Sequence, residues 1–429
     1  MSESVPGAPI VLPEETPTSG PKTTPPVPGP RAPRRRRRLG RALLGLCAAL
    51  LVLVGGAWFA VNHVPWVGPW LADTLRSIFG TEAVTRLEQW AYDLQDRYNR
   101  AFHKDDKPAS HWEVPPPSSA PAPAPPALDA GAAPAAPRPF RPADVGPLFA
   151  KAAAEGDGIW VSVDVQGISA PSPMLYKTLI HPDEKRPWAE LFVVAIDLAR
   201  VELGVVAGTE EPKAEPGAAR GYARSGLIPE ADRPRAFAAF NGGFKAEHGH
   251  YGMMVDGVTL LRPRDIACTV ALYTDGSLHI DTWMDMSRDR DTMRWYRQAP
   301  PCLVEDGKIH PALSDENTNW GAALGGATVV RRSALGLDAG AKVLYMGVSN
   351  ATSPRTIAQG MRHAGAVHVA QLDINWSYPH FVLIGAGEGG DRVGMGLFPG
   401  FSFNKDDYLR KPSTRDFFYL VPRTDPSAP

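Results

Sequence analysis

Residues 327–385 read ATVVRRSALGLDAGAKVLYMGVSNATSPRTIAQGMRHAGAVHVAQLDINWSYPHFVLIG. Three apolar, β-branched runs are separated by one helical run, and each boundary carries a local signal. Asp338-Ala339-Gly340 between Ala327–Leu337 and Val343–Val348 predicts a hairpin loop. Ser353-Pro354-Arg355-Thr356 places a capping hydroxyl before a proline at the first helical position, and Gly365 stops the helix. The order Val343–Val348, Ser353–Ala364, Val367–Ile374 predicts one strand–helix–strand crossover amid hairpins.

Outward from this stretch, short β-rich runs recur at 158–165, 191–198, 235–244 and 267–281, the last with an Asp275-Gly276 turn. From about residue 143 to residue 423 the composition is globular, and this length can bury a large core. The predicted class is α+β, with mixed β-sheets and a few packing helices.

The first third is different. The chain has 429 residues, 45 Lys+Arg and 46 Asp+Glu, but residues 1–41 hold eight basic and three acidic residues. The remainder is therefore at −6 against −1 for the whole. Residues 1–41 have almost no apolar periodicity and predict a disordered, basic cytoplasmic tail. Arg34–Arg38 and Arg41 abut ALLGLCAALLVLVGGAWFAV at 42–61. Twenty apolar residues at about 1.5 Å each span a hydrocarbon layer of about 30 Å. The arginines would stay on the cytoplasmic side, so this is expected to be a signal anchor of a single-pass membrane protein. Its C-terminal domain would then be periplasmic or at the cell surface. The long leader and the spacing of Ala57 and Ala60 argue against a cleaved signal peptide.

Residues 66–104 carry apolar side chains at helical spacing, including Leu71, Leu75, Ile78, Leu87, Trp90, Leu94, Tyr98 and Phe102. This amphipathic segment is expected to pack on the domain or to pair with a second copy through residues 70–102. Residues 105–142 are a Pro/Ala-rich linker, with twelve Pro and ten Ala between 108 and 142, expected to be extended.

Near-zero net charge argues against a nucleic-acid partner. Three cysteines are too few for a disulfide scaffold. Cys268 and Cys302 could pair in an oxidising compartment, although spacing alone does not bring them together. There is no G-x-S-x-G elbow, no H-E-x-x-H and no phosphate-loop motif, and nothing implies a cofactor or a metal. His248 and His250 beside Glu247 are better read as a solvated loop than as metal ligands.

Four segments carry residue types suited to a site. Asn241-Gly242-Gly243-Phe244 ends a strand with glycines that could let a backbone approach a ligand. Arg332, in Arg331-Arg332-Ser333, offers a guanidinium fork suited to phosphate if it points inward. Ser349 and Arg355 flank a helix N-terminus, where exposed N–H groups favour anions. Asp373 closes an apolar strand, followed by Trp376, Ser377 and His380; a carboxylate there is costly unless paired or used. Each has an ordinary structural alternative, a turn, a solvated charge, a helix cap and an ion pair in turn.

The series LFVVAIDL, AAFNGGF, GMMVDG, CLVEDGKI, RSALGL and VSNATSPRTIAQGMRHAG…QLDINWS resembles the phosphodiester glycosidase family. The resemblance covers roughly residues 190–385. It implies hydrolysis of a sugar joined through its anomeric carbon to a phosphodiester, with a glycoconjugate or sugar phosphate as substrate. Asn241 and its glycines, Arg332 and Asp373 match the family's motifs. The implied roles are Asp373 as base or nucleophile, Arg332 on the phosphate and Asn241 orienting the substrate. The secondary contacts would be Gly242, Gly243, Ser349, Arg355, Trp376, Ser377 and His380. The family commonly reads L-D-G-G-G-S where this chain reads L-D-I-N-W-S. A catalytically inactive binder of sugar phosphates, or an envelope-assembly protein on the same fold, is the alternative reading.

Overall fold

The computed structural model describes residues 94–114, 140–165, 172–217, 222–313, 329–375, 378–387 and 389–423, with isolated positions elsewhere. Residues 1–60 and 61–429 are separate units. In the first, the described residues Leu44, Gly45, Ala48, Ala49, Val52, Gly55 and Gly56 are helical; the rest of the expected span at 42–61 lies outside the described residues. Among the described residues, no helix is long and apolar enough to cross a membrane.

Among the described residues of the second unit, eighteen strands form three sheets. The largest contains β1 (Val161–Val163), β2 (Leu175–Ile180), β3 (Leu191–Asp197), β11 (Val304–Glu305), β12 (Lys308–Ile309), β13 (Val330–Leu337), β14 (Val343–Thr352) and β15 (His368–Ile374). Its order is β1-β2-β3-β14-β13-β15-β11-β12. A second sheet, ordered β7-β6-β10-β8-β9, is built from β6 (Met253–Val255), β7 (Val258–Leu261), β8 (Cys268–Tyr273), β9 (Leu278–Thr282) and β10 (Met293–Ala299). The third, ordered β17-β16-β5-β18-β4, takes β4 (Val201–Val206), β5 (Ala238–Asn241), β16 (Phe381–Ala386), β17 (Arg392–Gly396) and β18 (Phe417–Pro422). Two helices follow within the sheet region, α1 (Trp283–Met286) and α2 (Pro354–His363).

The α+β class holds, but the sheets are not mixed. Every pairing of these strands is antiparallel. The predicted crossover β14–α2–β15 is present, yet β13 lies between its two strands. The hairpin at Asp338–Gly340 sets β13 against one edge of β14 and β3 takes the other, so the returning β15 pairs with the far side of β13.

Period-two patterning explains the layering. In β3, Phe192, Val194 and Ile196 enter a core shared with Phe240 and Phe418 of the third sheet and Val270 and Trp295 of the second. Leu191, Val193 and Ala195 face the opposite way, packing with Ile357, Ala358 and Met361 of α2. All seven residues of β3 are therefore buried. Close helix–sheet contact requires Gly347 of β14, where a Cβ would stand 2.3 Å from Met361 Sδ. The Ser353–Thr356 capping box and Pro354 start α2 as its sequence predicts.

Cys268 and Cys302 are bonded, with their Cα atoms 4.7 Å apart. The helical residues 94–102 are tied to the loop between β2 and β3, and the following segment reaches β3 of the large sheet. Asp96 accepts two hydrogen bonds from Arg186, and Trp112 packs on Phe192 and Phe398. Residues 108–114, which composition assigned to the spacer, thus belong to the packed structure. Residues 115–139 lie outside the described residues.

Candidate functional site

β15 carries Asp373 to the edge where the largest and third sheets meet. The Asp373 N–H donates to the Gly242 carbonyl at 3.1 Å, joining the strand to the turn after β5. Its side chain is almost wholly buried, and Oδ2 accepts from Arg415 Nη1 at 2.7 Å and from Asn375 Nδ2 at 2.8 Å. Burial pushes the Asp373 pKa above the usual carboxylate range, against the pull of Arg415. Burial alone would lower the Arg415 pKa, but Asp373, Tyr378 and Asp416 hold it above its ordinary value.

Arg415 lies just before β18, stacked 4.3 Å over the Tyr378 ring. Its Nη2 donates to the Gly243 carbonyl at 3.0 Å, and its buried Nε has no hydrogen-bond partner among the described residues. The next residue, Asp416, is fully buried and pairs with Arg297 of β10 at 2.8 Å. Asp416 Oδ2 also accepts from the Gly243 N–H at 2.9 Å. Two ion pairs therefore meet across the peptide of Gly243.

This explains the glycines differently from the sequence. Neither Gly242 nor Gly243 has a positive φ. A Cβ on Gly242 would stand 2.2 Å from Asp416 Oδ2, and one on Gly243 would stand 2.8 Å from the Arg297 guanidinium. The turn is glycine because buried charges pack directly on its backbone. Asn241 is fully buried as well: Nδ2 donates to Ser333 Oγ at 2.7 Å and Oδ1 accepts from the His380 N–H at 3.2 Å. Its amide ties two sheets together, a placement unlike the substrate contact expected of it.

The guanidinium that pairs with Asp373 is Arg415, and Arg332 is placed elsewhere. Arg332 is fully buried, donating to the Thr352 carbonyl at 2.9 Å, the Trp320 carbonyl at 2.8 Å and Gln371 Oε1 at 3.2 Å. Burial pushes its pKa down to about 9. Ser349 belongs to the same cluster: its Oγ accepts from the Arg332 N–H at 3.2 Å and lies 2.6 Å from Thr352 Oγ1. The N-terminus of α2 is occupied by its own capping box rather than turned toward a ligand, and exposed Arg355 donates to the Leu313 carbonyl at 3.1 Å. His380 is buried with Nε2 2.6 Å from Tyr408 Oη, and burial pushes its pKa down to about 4. Its ring therefore engages Tyr408, a placement unlike the substrate contact expected of it. Trp376 and Ser377 lie outside the described residues.

One histidine is coupled electrostatically to the pair. His248, with 41% of its side chain exposed, lies within the electrostatic reach of Asp373 and Arg415. Surrounding protein pushes its pKa down, opposed by Asp373 and Glu247. Among the described residues, no group of three His, Cys, Asp or Glu side chains could hold a metal ion.

Of the expected residues, then, the structure brings together Asp373, Asn241, Gly242 and Gly243. Sequence reasoning missed Arg415, Asp416 and Arg297. The available signals were a charged dipeptide heading the apolar run FFYLV and an arginine in phase with Trp295 and Ala299.

No family model and no curated protein matches this chain. Among solved structures it is similar to the catalytic domain of zebrafish N-acetylglucosamine-1-phosphodiester alpha-N-acetylglucosaminidase, auto-inhibited by its pro-peptide. That match has 15% identity and a TM-score of 0.38, covering 60% of this chain and 86% of that one. It is also similar to a hypothetical protein from Synechocystis, at 12% identity and a TM-score of 0.32, covering 58% of this chain and 62% of the other. This is a distant structural similarity, and no residue role is carried over from it.

Proposed function

We propose that residues 143–423 form a hydrolase of the phosphodiester glycosidase type, cleaving a sugar from a sugar-1-phosphodiester in envelope or secreted glycoconjugates. The observation that carries this reading is the buried Asp373–Arg415 pair beside the Asn241-Gly242-Gly243 turn. Ordinary glycosidases need a second carboxyl group to protonate the leaving alcohol. A departing phosphomonoester, with a second pKa near ~6, leaves as a stable anion without that help. One carboxylate and a phosphate-holding cation then suffice.

In this reading Asp373 acts as base or nucleophile at the anomeric carbon. Arg415, rather than Arg332, holds the phosphate: its fork is anchored on Asp373 and Gly243, and its buried Nε–H remains to be satisfied by an anionic oxygen. His248, coupled electrostatically to both, serves as a proton carrier for the attacking water. The Cys268–Cys302 bond supports an oxidising, extracytoplasmic location for the domain. The arginine run and the twenty apolar residues after it support anchoring by one transmembrane helix.

A second reading is favoured by one observation. Asp373 Oδ2 is already satisfied by both Arg415 and Asn375. A silent module that binds sugar phosphates without cleaving them would need no freer carboxylate. The test is release of free sugar from a panel of sugar-1-phosphodiesters by the full chain, alongside Asp373→Asn and Arg415→Met. Release lost in both folded variants supports the hydrolase. Sugar-phosphate binding without release, weakened in Arg415→Met, moves the conclusion to the binder. Release that persists in Asp373→Asn overturns the assignment of the site.

A further inference from the structure

The loop 244–251, between β5 and β6, carries Lys245, Glu247 and His248. Its geometry is tightly specified: Gly249 has φ +116° and His250, a non-glycine residue, has φ +51°. The His248 N–H donates to the Lys245 carbonyl at 3.0 Å and the His250 N–H to the Ala246 carbonyl at 2.9 Å. Phe244 and Tyr251 meet edge to face across its base, with ring centroids 6.0 Å apart.

Both ends of that base are held by one side chain. Arg297, buried on the central strand of the second sheet, donates from Nη2 to the Phe244 carbonyl at 2.5 Å and from Nη1 to the Tyr251 carbonyl at 3.0 Å. The same guanidinium pairs with Asp416, which accepts the Gly243 N–H and directly follows Arg415. A single planar fork therefore fixes the loop bearing His248 and the turn against which Arg415 reaches Asp373. A structural ion pair needs Asp416 alone; the additional grip on both loop ends is what a positioning device requires.

We infer that Arg297 is the positioning residue of this site, fixing the loop that carries His248 to the Gly243 turn beside the Asp373–Arg415 pair. The inference rests on the site assigned above but not on its hydrolysing anything. Lysine cannot replace arginine here, since an ammonium lacks the fork that reaches two carbonyls and a carboxylate together.

The test is the titration of His248 in the full chain, followed by NMR of histidine-labelled protein and assigned with His248→Gln among the eleven histidines. The charged groups facing the ring are Asp373 from β15, Arg415 from the segment before β18, and Glu247 and Lys245 from its own loop. In the native chain His248 titrates below the ~6.5 of a free imidazole. In Arg297→Lys the loosened loop exposes the ring, and its midpoint rises toward that value. Should Arg297→Lys fail to fold, Gly243→Ala pushes on the guanidinium while keeping both charges, and the same rise is expected. A native His248 titrating at the ordinary value, or a midpoint unmoved in a folded variant, overturns the inference. Absence of sugar release with every substrate leaves this titration readable, so the two proposals fail separately.

Discussion

Replacing Arg415 by methionine removes the charge that faces a carboxylate only 2% exposed. Arg415 contacts Asp373 at 2.7 Å with its own side chain 13% exposed, so solvent screens the pair little. Breaking one partner of a buried pair costs about 3–5 kcal/mol, because the other charge is left uncompensated. Asp373 can escape that penalty by taking up a proton. Its pKa is already raised by burial, and loss of Arg415 raises it further. A folded-state pKa above the unfolded value of ~3.9 means stability that is fully present below that pH and lost as pH rises through the folded pKa. Arg415→Met should therefore lose stability with rising pH, at up to ~1.4 kcal/mol per unit, until the folded pKa is passed. Denaturant melts of the native protein, of Arg415→Met and of Arg415→Met with Asp373→Asn, taken from pH 4 to 8, measure this directly. The double variant has no carboxylate at position 373 to strand and should recover most of the loss at neutral pH, with a flatter pH dependence. A single variant that loses under ~1 kcal/mol at neutral pH, or whose pH dependence matches the double variant, would refute a desolvated Asp373–Arg415 pair.

Other outcomes follow from the same geometry. Asp373→Asn should reduce sugar release by roughly a thousandfold or more while leaving the fold intact, read by steady-state kinetics beside near-ultraviolet circular dichroism. Arg332→Met should act on stability instead, costing about 3 kcal/mol by removing its buried hydrogen bonds to the Thr352 and Trp320 carbonyls and to Gln371 Oε1, with catalytic constants of the remaining folded protein unchanged. Gly347→Ala should cost about 1–3 kcal/mol, because its Cβ would meet Met361 Sδ at 2.3 Å, and trimming Met361 to alanine in the same chain should return part of the loss.

The fold was legible wherever local chemistry and tertiary packing agreed. The hairpin at Asp338–Gly340, the cap at Ser353 and the apolar phase of 191–197 each specify their element with information held within about ten residues. β4, β6, β7, β10, β17 and β18 were not singled out. Charges interrupt the apolar runs of β4 at Glu202, of β10 at Arg294 and Arg297 and of β17 at Arg392, while β6, β7 and β18 carry no strict alternation of apolar and polar residues. The expectation of mixed sheets failed for a different reason: strand direction depends on which neighbour pairs first, and β13 occupied the place beside β14. Within the site, Asp373 was visible as a carboxylate at the end of an apolar strand, whereas its partner was not. Arg332 was the nearer arginine in the motif, yet β-strand geometry carried it into a separate buried cluster with Gln371 and Ser349. Arg415 follows the loop signal Pro412-Ser413-Thr414, which says nothing of its partner, and only pairing of β18 with β5 delivers it to Asp373.

That pairing joins the fold to the chemistry. Phe417 stands opposite Asn241, so the two residues before β18 must lie beside the two glycines after β5. One of them, Arg415, reaches Asp373; the other, Asp416, reaches Arg297. A shift of β18 by one residue would exchange their directions and separate both pairs, since side chains alternate along a strand. The apolar run 417–421, which fixes the register by burying Phe418 and Leu420 in one core and Phe417 and Tyr419 in another, is thus also what assembles the charges. Substitutions deep in β18 that loosen its register should consequently disturb the Asp373 environment before they unfold the domain.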